Sequence, residues 1–375
     1  MTQQTEIVLV GGGIVSLSTA YHLAKEGVAS LIVEQEAVGF GASGAAAGLV
    51  TPLIESFGPD PMTQLGMISG GMHEDLAKVL PDESGIDYHY SPIPILEPAF
   101  SEEEAQALRE RLVWLQGLDP DVRWVTPSDI RQMDDRLLPG VLGALFYPNE
   151  HQAEPYRLVL AFTAAIERMG SSVRYATATG LESNGGSVTG VRLADGSTIG
   201  AGRVLLAMGP WTHQAEAWTA HPIPVQPLKG QILKLEVDGS LPAVSVFYGH
   251  NYILPKPAGY MIAGTTEELV GFDTQPTAEA REGILELALR FMPSLETARL
   301  TEHTACLRPL SADNVPILGQ VPGWEGLYVA TGHQRQGIIL SVVTGRIMAD
   351  LLLRGRTDVV DLMPFSPDRW GREAS

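Results

Sequence analysis

Residues 6–34 read EIVLVGGGIVSLSTAYHLAKEGVASLIVE, with three glycines between two apolar runs. The first run, residues 7–10, is typical of a strand buried on both faces of a parallel sheet. Residues 14–25 carry apolar side chains at helical spacing, and the second run ends in Glu34. The pattern predicts a strand–turn–helix–strand unit whose glycines let a pyrophosphate approach the positive end of the helix.

The acidic residue that ends this unit also carries information. Glu34 follows the glycines by about 20 residues, where a carboxylate can accept hydrogen bonds from a ribose diol. An acid at this position favours an unphosphorylated ribose, so the sequence predicts FAD or NAD rather than NADP. Ser16 replaces the third glycine of the G-x-G-x-x-G pattern but is small enough for helix and strand to pack. The alternative is an ordinary βαβ unit that uses its glycines only for turning.

Length and composition exclude several classes of protein and partner. The 375 residues suffice for a large core and two domains, and a net charge of −19 disfavours nucleic acid or anionic lipid as a partner. The single Cys306 excludes an internal disulfide. Residues 1–5 are polar, unlike a secretory signal, and the apolar stretch 337–353 contains Arg346 and Asp350. We therefore expect no membrane-spanning segment and a cytoplasmic protein.

Later segments suggest two kinds of structure. Residues 38–50 are mostly small, which indicates backbone lying against a flat ligand, although a flexible loop is the alternative. Residues 203–208 and 326–330 are further buried-strand patterns, and the latter is followed by a loop and a closing helix. Residues 224–267 alternate like the strands of an antiparallel sheet. No His-x-His, H-E-x-x-H or G-x-S-x-G pattern is present, so we expect no metal site and no serine nucleophile elbow.

Five motifs occur along the chain in the order VGGGIVSLSTAYHLAKEG, GASGAAAG, LLAMGPW, LRPLSADNVPILG and GLYVATGHQRQGI. Their sequence and order resemble those of the D-amino-acid-oxidase-like flavoproteins, and the resemblance spans residue 7 to about residue 353. Within that group the chain is most similar to glycine oxidases and related amino-acid oxidases or dehydrogenases, including the sarcosine-oxidase-like branch. The resemblance implies an α/β fold with a doubly wound, Rossmann-like FAD-binding domain and an interleaved α+β substrate domain built on an antiparallel sheet. The expected FAD-binding domain is residues 1–50, 151–220 and 305–375, and the expected substrate domain is residues 51–150 and 221–304.

The resemblance also implies the contacts of FAD. The pyrophosphate would lie at the helix that begins at Ile14, and the flavin ring would lie against the small residues and the C-terminal loop. A helix that begins after Gly337 could stabilise the negative charge of the reduced ring. The implied cofactor-binding residues are Gly11, Gly13, Ile14, Val15, Glu34, Gln35, Ser43, Ala45, Ala46, Ala47, Gly48, Val173, Ala207, Gly209, Trp211, Cys306, Gly332, His333, Gln334, Arg335, Gln336, Gly337 and Ile338.

Three residues are implied as catalytic through their contact with the substrate. Arg308, in LRP, would hold the substrate carboxylate by two parallel hydrogen bonds. Arg335 matches a second arginine near the substrate, and Tyr252 matches a tyrosine that donates its hydroxyl, with Tyr248 as a nearby rival. A purely structural ion pair, for example between Arg308 and Asp313, is the alternative.

Two further residues stay open at this stage. Cys306 could be a small buried side chain, or it could bond covalently to the flavin, as a cysteine of the sarcosine-oxidase-like branch does; non-covalent FAD is the expectation. That branch also carries a lysine near the flavin, which residues 259–262 lack. His333 is expected to be structural, because oxidation of a neutral amine needs no general base.

The resemblance implies oxidation of the Cα–N bond of a small amino acid (glycine, sarcosine or a D-amino acid) by hydride transfer to flavin N5. The resulting imine hydrolyses to a 2-oxo acid, and O2 is reduced to H2O2. The alternatives are a dehydrogenase that uses a quinone or carrier protein as electron acceptor, a 2-hydroxy-acid oxidase and a non-catalytic flavin-binding subunit. A homo-oligomer is compatible with the sequence.

Overall fold

A computed structural model describes residues 3–370 as a mixed α/β fold. In this part of the chain the α-helices are α1 (Ile14–Lys25), α2 (Ala42–Ala45), α3 (Pro61–Ser84), α4 (Glu102–Leu115), α5 (Pro127–Met133), α6 (Pro155–Arg168), α7 (Glu216–Thr219), α8 (Ala278–Phe291) and α9 (Gly337–Arg354). Short 3₁₀ helices span Gly209–Ala215, Pro293–Thr297, Gln334–Gln336, Met363–Phe365 and Pro367–Trp370.

The described residues form β-strands throughout the chain. They are β1 (Gln3–Gln4), β2 (Ile7–Val10), β3 (Leu31–Glu34), β4 (Leu49–Val50), β5 (Ser91–Pro92), β6 (Ile95–Ala99), β7 (Arg123–Val125), β8 (Gly143–Tyr147), β9 (His151–Gln152), β10 (Ser172–Tyr175), β11 (Ala178–Asn184), β12 (Ser187–Leu193), β13 (Thr198–Gly200), β14 (Arg203–Leu206), β15 (Val225–Glu236), β16 (Ser245–Tyr248), β17 (Asn251–Lys256), β18 (Tyr260–Gly264), β19 (Arg299–Ser311), β20 (Ile317–Gln320) and β21 (Leu327–Thr331).

The N-terminal unit lies in the middle of a six-stranded sheet. The strand order is β10-β3-β2-β14-β21-β20, and every neighbouring pair is parallel except β20 with β21. All four residues of β2 are buried, as the uninterrupted apolar run predicts for a strand covered on both faces. The buried strands predicted at residues 7–10, 203–208 and 326–330 are confirmed as β2, β14 and β21, which end or begin within two residues of the predicted bounds.

Two different layers cover the faces of this sheet. Ile7 and Leu9 belong to the core that the sheet shares with α1, α3, α6 and α9. Val8 and Val10 point the other way, into a core shared with the four-stranded sheet β1-β13-β12-β11. The predicted α/β class is confirmed, but the second face is covered by strands and not by helices, because residues 178–200 alternate in burial and form a hairpin-containing sheet.

The second large sheet has eight strands in the order β19-β15-β18-β17-β16-β6-β8-β7, and it is antiparallel except where β16 meets β6. Its longest pairing joins β15 to β19 and places Cys306 opposite Gly230 and Arg308 opposite Leu228. The predicted antiparallel sheet is confirmed. The division of the chain into two domains at the expected residue boundaries stays a prediction.

The C-terminal helix is more apolar than the sequence interpretation allowed. Residues 334–354 form a 21-residue helical stretch with a mean hydropathy of 1.5, long and apolar enough to cross a membrane by length and composition. However, 78% of its apolar window is buried inside the protein. It packs on α1 so closely that a Cβ at Gly345 would lie 2.2 Å from the Ser18 hydroxyl. We therefore interpret α9 as a core helix.

Candidate active site

A cavity lies where the carboxyl ends of the parallel strands face the eight-stranded sheet. Its empty volume is about 1900 Å³, including the part that is open to solvent. Its lining runs from the glycine turn after β2 to Arg308 on β19, so one cavity joins the two large sheets. The longer stretches that line it are residues 10–15, 33–35, 39–43, 45–49, 176–178, 207–211 and 333–339.

The glycine turn after β2 brings two backbone segments into close contact. Gly11 has a φ of 103°, and a Cβ there would lie 2.5 Å from the carbonyl oxygen of Ala207. The N-cap residue of α1, Gly13, contributes no side chain, and the Ile14 N–H donates to Ser43 Oγ at 3.0 Å. The first turn of α1 therefore presents its positive end to the cavity, which is where a pyrophosphate binds in folds of this kind.

Glu34 lines the cavity beside the glycine turn. Its Oε2 accepts a hydrogen bond from the Gly12 N–H at 2.5 Å, and its Oε1 accepts from the Glu36 N–H at 2.8 Å. Gln35 lines the cavity beside it. A carboxylate held at the tip of β3 in this way can accept hydrogen bonds from a ribose diol.

The small residues 45–48 line the cavity, and the buried side chain of Lys256 binds their backbone. Ala45, Ala46 and Ala47 line the cavity, and the Lys256 ammonium donates to the Ala47 carbonyl at 3.0 Å and to the Ala153 carbonyl at 2.8 Å. Burial lowers the pKa of Lys256 to about 8, although Glu154, 3.6 Å away, acts in the opposite direction. Lys256 itself does not line the cavity, so it differs from the lysine beside the flavin for which residues 259–262 were considered.

The C-terminal loop also lines the cavity. His333 to Ile338 all contact the cavity, and α9 begins at Gly337 without a side-chain cap. The positive end of this helix therefore faces the cavity. His333 is buried and its Nε2 lies 3.0 Å from Thr344 Oγ1, and burial lowers the pKa of His333 to about 4. His333 is therefore a neutral, hydrogen-bonded side chain at neutral pH.

Two of the predicted cofactor-binding residues do not line the cavity. Val173 lies within β10, opposite Ile32 in the sheet, and packs against the helical core. The cavity is lined instead by residues 176–178, which follow that strand, because ligands bind beyond the carboxyl ends of parallel strands. Gly332 forms a turn with a φ of 81°, between two residues that do line the cavity.

Arg308 lines the cavity on the side of the eight-stranded sheet, and its side chain is largely buried, with 8% of the residue exposed. Its Nη2 donates to Thr265 Oγ1 at 2.6 Å, and its Nη1 donates to the Thr266 carbonyl at 3.1 Å. Asp313, the structural partner that the sequence left open, pairs with Arg369 at 2.7 Å instead. Its hydrogen-bond acceptors are neutral and the nearest carboxylate, that of Glu267, is 4.0 Å from Nη1, so the charge of Arg308 can still pair with an anion in the cavity.

Arg335 has a different environment. Its Nε lies 2.5 Å from Glu55 Oε1, and its Nη1 donates to Glu267 Oε1 at 3.2 Å and contacts His250 Nδ1. Gln336 donates to the second oxygen of Glu55 at 2.9 Å. The second predicted substrate arginine is thus neutralised by two carboxylates of the protein.

The rival tyrosines are separated by the fold. Tyr252 lines the cavity, stacks on Phe247 with ring centroids 6.0 Å apart, and has its hydroxyl beside Gly264. Tyr248 lies outside the cavity and donates to Glu104 at 2.7 Å. Burial raises the pKa of Tyr252 to about 12, and the charge of Arg308 offsets only part of this shift. Tyr252 is therefore a neutral hydroxyl that can donate a hydrogen bond into the site.

Cys306 lines the cavity two residues before Arg308, opposite Gly230 in the strand pair. Burial raises the pKa of its thiol, which keeps the thiolate scarce near neutral pH. In the described residues no group of three or more His, Cys, Asp or Glu side chains is placed to hold a metal ion.

Several residues of the site were not found from the sequence. Glu55, Thr265 and Glu267 surround the two arginines but stand in segments without a recognisable motif. Glu55 and Arg335 are 280 positions apart along the chain, so no local pattern links them. The pairing of β15 with both β18 and β19 brings Thr265 and Glu267 to Arg308, and the turn before α9 brings Arg335 to Glu55.

The cavity fits FAD on three observations. Gly11 lets the turn after β2 lie against Ala207, the N-cap residue of α1 has no side chain between the helix and the cavity, and Glu34 lies at the tip of β3, where a ribose binds in such folds. A second uncapped helix end, that of α9, faces the region where a flavin ring would lie against the alanines. This donor set suits a dinucleotide with a flavin better than a small ligand alone.

Comparison with known proteins agrees with this geometry. Residues 6–351 match the model of the family described as DAO, FAD dependent oxidoreductase. The chain belongs to this family of FAD-dependent oxidoreductases. It is an enzyme that is similar to glycine oxidases, and its cofactor is FAD.

The similarity to glycine oxidases covers nearly the whole chain. The glycine oxidase of Geobacillus kaustophilus is 31% identical over 98% of this chain and 98% of its own length. A crystal structure of glycine oxidase from Geobacillus kaustophilus superimposes with a TM-score of 0.93 at 29% identity and covers 98% of this chain and 99% of its own. Iminodiacetate oxidase from Chelativorans sp. BNC1 superimposes with a TM-score of 0.88 at 25% identity, over 96% of this chain and 99% of its own.

Proposed function

We propose that this protein oxidises the Cα–N bond of a small amino acid such as glycine, sarcosine or a small D-amino acid. In the net reaction the amino acid, O2 and water give a 2-oxo acid, ammonia or an amine, and hydrogen peroxide. FAD, when bound, supplies the two-electron acceptor that takes the hydride from Cα and passes the electrons to O2. The similarity to glycine oxidases along nearly the whole chain supports this substrate class.

The position of Arg308 carries the proposal. Its guanidinium is nine-tenths buried inside the cavity, and its closest protein partners are a hydroxyl and a carbonyl and not a carboxylate. A buried cation without a tight anionic partner attracts a carboxylate ligand strongly. A substrate held there by its carboxylate has its Cα fixed relative to the wall formed by the alanines and the C-terminal loop.

The neighbouring groups orient and shield the substrate. The neutral hydroxyl of Tyr252 can donate a second hydrogen bond to the carboxylate, and Phe247 and Ile232 keep water from that side. No protein group has to remove a proton from Cα, because a neutral amine needs alignment with the acceptor more than it needs a base. The imine product then hydrolyses in water.

The 2-hydroxy-acid alternative is less well supported. That reaction needs a base for the hydroxyl proton, and His333 is the histidine of the C-terminal loop that lines the cavity. Burial makes His333 a weak base, with its pKa lowered to about 4, and its Nε2 is engaged with Thr344. These observations favour the amine substrate.

The test is an anaerobic titration of the purified holoenzyme. Glycine, sarcosine, D-alanine, D-proline, L-proline and 2-hydroxyglutarate are added in turn while the visible absorbance of the flavin is recorded. Bleaching by one or more of the amines is the expected result, and rapid recovery in air with formation of hydrogen peroxide identifies an oxidase. Slow recovery in air but fast recovery with a quinone would identify a dehydrogenase.

Two other outcomes contradict the proposal. Bleaching by the hydroxy acid alone would replace the amine substrate, and a flavin that none of the compounds bleaches would favour a non-catalytic subunit. Cytoplasmic localisation and assembly into a homo-oligomer stay predictions.

A further inference from the structure

The substrate end of the cavity contains a balanced set of four charges. Arg308 and Arg335 are the cations, and Glu55 and Glu267 are the anions that surround them. Glu55 lines the cavity. Glu267 is not a lining residue, but its carboxylate lies within 4.0 Å of both guanidinium groups. The Glu267 carboxylate is 3.2 Å from Arg335 Nη1 and 4.0 Å from Arg308 Nη1.

The two arginines are therefore not equivalent. Arg335 pairs with Glu55 at Nε and with Glu267 at Nη1, so these two carboxylates already compensate its charge. Arg308 has hydrogen bonds to Thr265 and Thr266 and meets a carboxylate only at the longer distance. Among the described residues that line the cavity, lysine and arginine side chains occur only at these two positions.

This arrangement has a consequence for the substrate. One substrate carboxylate can pair with Arg308 at little cost, because Glu267 is not in hydrogen-bonding contact with it. A second carboxylate on the same molecule could not pair freely with Arg335, because Glu55 and Glu267 already form ion pairs with that arginine. It would also be repelled by the negative charges of these two glutamates. Like charges at short distance in a partly buried site discriminate strongly between ligands.

We propose that Glu55 and Glu267 are specificity-determining residues that pair with Arg335 and so restrict the site to substrates with one carboxylate. Amino acids with an acidic side chain or an acidic N-substituent are rejected by these two residues. The inference rests on the proposed function, since it takes Arg308 as the carboxylate anchor. It adds that Glu55 and Glu267 exclude substrates that carry a second carboxylate.

The test compares propionate with malonate, which have the same chain length but one and two carboxylates. Their dissociation constants are measured by calorimetry on the FAD-loaded protein, so that no turnover is required. Wild type should bind propionate at least about tenfold more tightly than malonate, as expected for one unpaired like charge in a partly buried site. Glu267→Gln and Glu55→Gln should each reduce that preference by about tenfold, because each removes one of the two carboxylates that neutralise Arg335 and repel a second substrate carboxylate. In both variants anaerobic flavin reduction by iminodiacetate should speed up relative to reduction by glycine.

Glu286→Gln is the matched control, since it makes the same change of charge on an exposed position of α8. It should leave the preference unchanged. Equal affinity of wild type for the two acids would overturn the inference without any variant, and so would an unchanged preference in both glutamate variants. Protein that binds neither acid and is reduced by no amine would overturn the proposed function itself, and the inference with it.

Discussion

The guanidinium of Arg308 lies directly over Gly230 on the neighbouring strand. A Cβ at position 230 would be 2.2 Å from Arg308 Nη2, a distance that no side chain can occupy without moving the arginine. The absence of a side chain at 230 is therefore part of the substrate site.

Gly230→Ala should displace Arg308 and break its 2.6 Å hydrogen bond to Thr265. We expect a rise of at least about tenfold in the KM for the amino-acid substrate, with FAD content unchanged, since a hydrogen bond to a charged group contributes about 1.5–3 kcal/mol. Gly283→Ala is the control, because a Cβ there meets nothing within 4 Å. A normal KM in Gly230→Ala would show that the arginine does not anchor the substrate.

Tyr252→Phe should remove one hydrogen bond to the substrate carboxylate. Because the pKa of Tyr252 is raised to about 12, the hydroxyl is a neutral donor across the usual assay range. We expect kcat/KM to fall about 10- to 100-fold, the value of a hydrogen bond to a charged group. Tyr248→Phe loses only the bond to Glu104 outside the cavity and should leave kcat/KM within about twofold. Equal losses in the two variants would contradict this assignment.

Cys306 should not be bonded to the flavin. Burial raises the pKa of its thiol, which disfavours the nucleophilic thiolate. Acid precipitation of the holoenzyme should release all of the flavin into the supernatant, from wild type and from Cys306→Ser alike. Flavin retained in the wild-type pellet but released from the serine variant would establish the covalent link instead.

Glu150 should make the protein less stable as the pH rises. It is buried, its Oε1 accepts from the Leu53 N–H at 3.0 Å, and burial raises its pKa from 4.5 to about 8. Between these values the folded state holds a proton that the unfolded state has released. The contribution of Glu150 to stability is therefore fully present below about pH 4.5 and is lost as the pH rises to about 8, by up to about 1.4 kcal/mol per pH unit.

Glu150→Gln isolates this effect from other titrating groups. Buried histidines such as His73, with its pKa lowered to about 4, make stability rise with pH in the acidic range, but they are common to both proteins. The free energy of unfolding of the variant minus that of wild type, from denaturant titrations at pH 5 and pH 8, should therefore increase. A difference that does not change with pH would refute the raised pKa.

The nucleotide half of the site could be predicted from the sequence because its signals are local. The glycine turn, Glu34 and the closing helix each lie within one strand–turn–helix segment, and each is found where the pattern predicts. Val173 does not line the cavity, which begins only beyond the end of its strand, and its contact with the cofactor stays a prediction. Glu55 and Glu267 were missed because a lone glutamate in a loop carries no pattern.

The sequence by itself determined the βαβ unit, the α/β class, the family and FAD, because apolar periodicity and glycine spacing act over short stretches of chain. Only the tertiary structure decided which arginine is available to a substrate. Asp313 lies five positions from Arg308 yet pairs with Arg369, whereas Glu55 comes from the other end of the chain to Arg335. Charge pairing depends on distance in space, and strand register and helix packing set that distance.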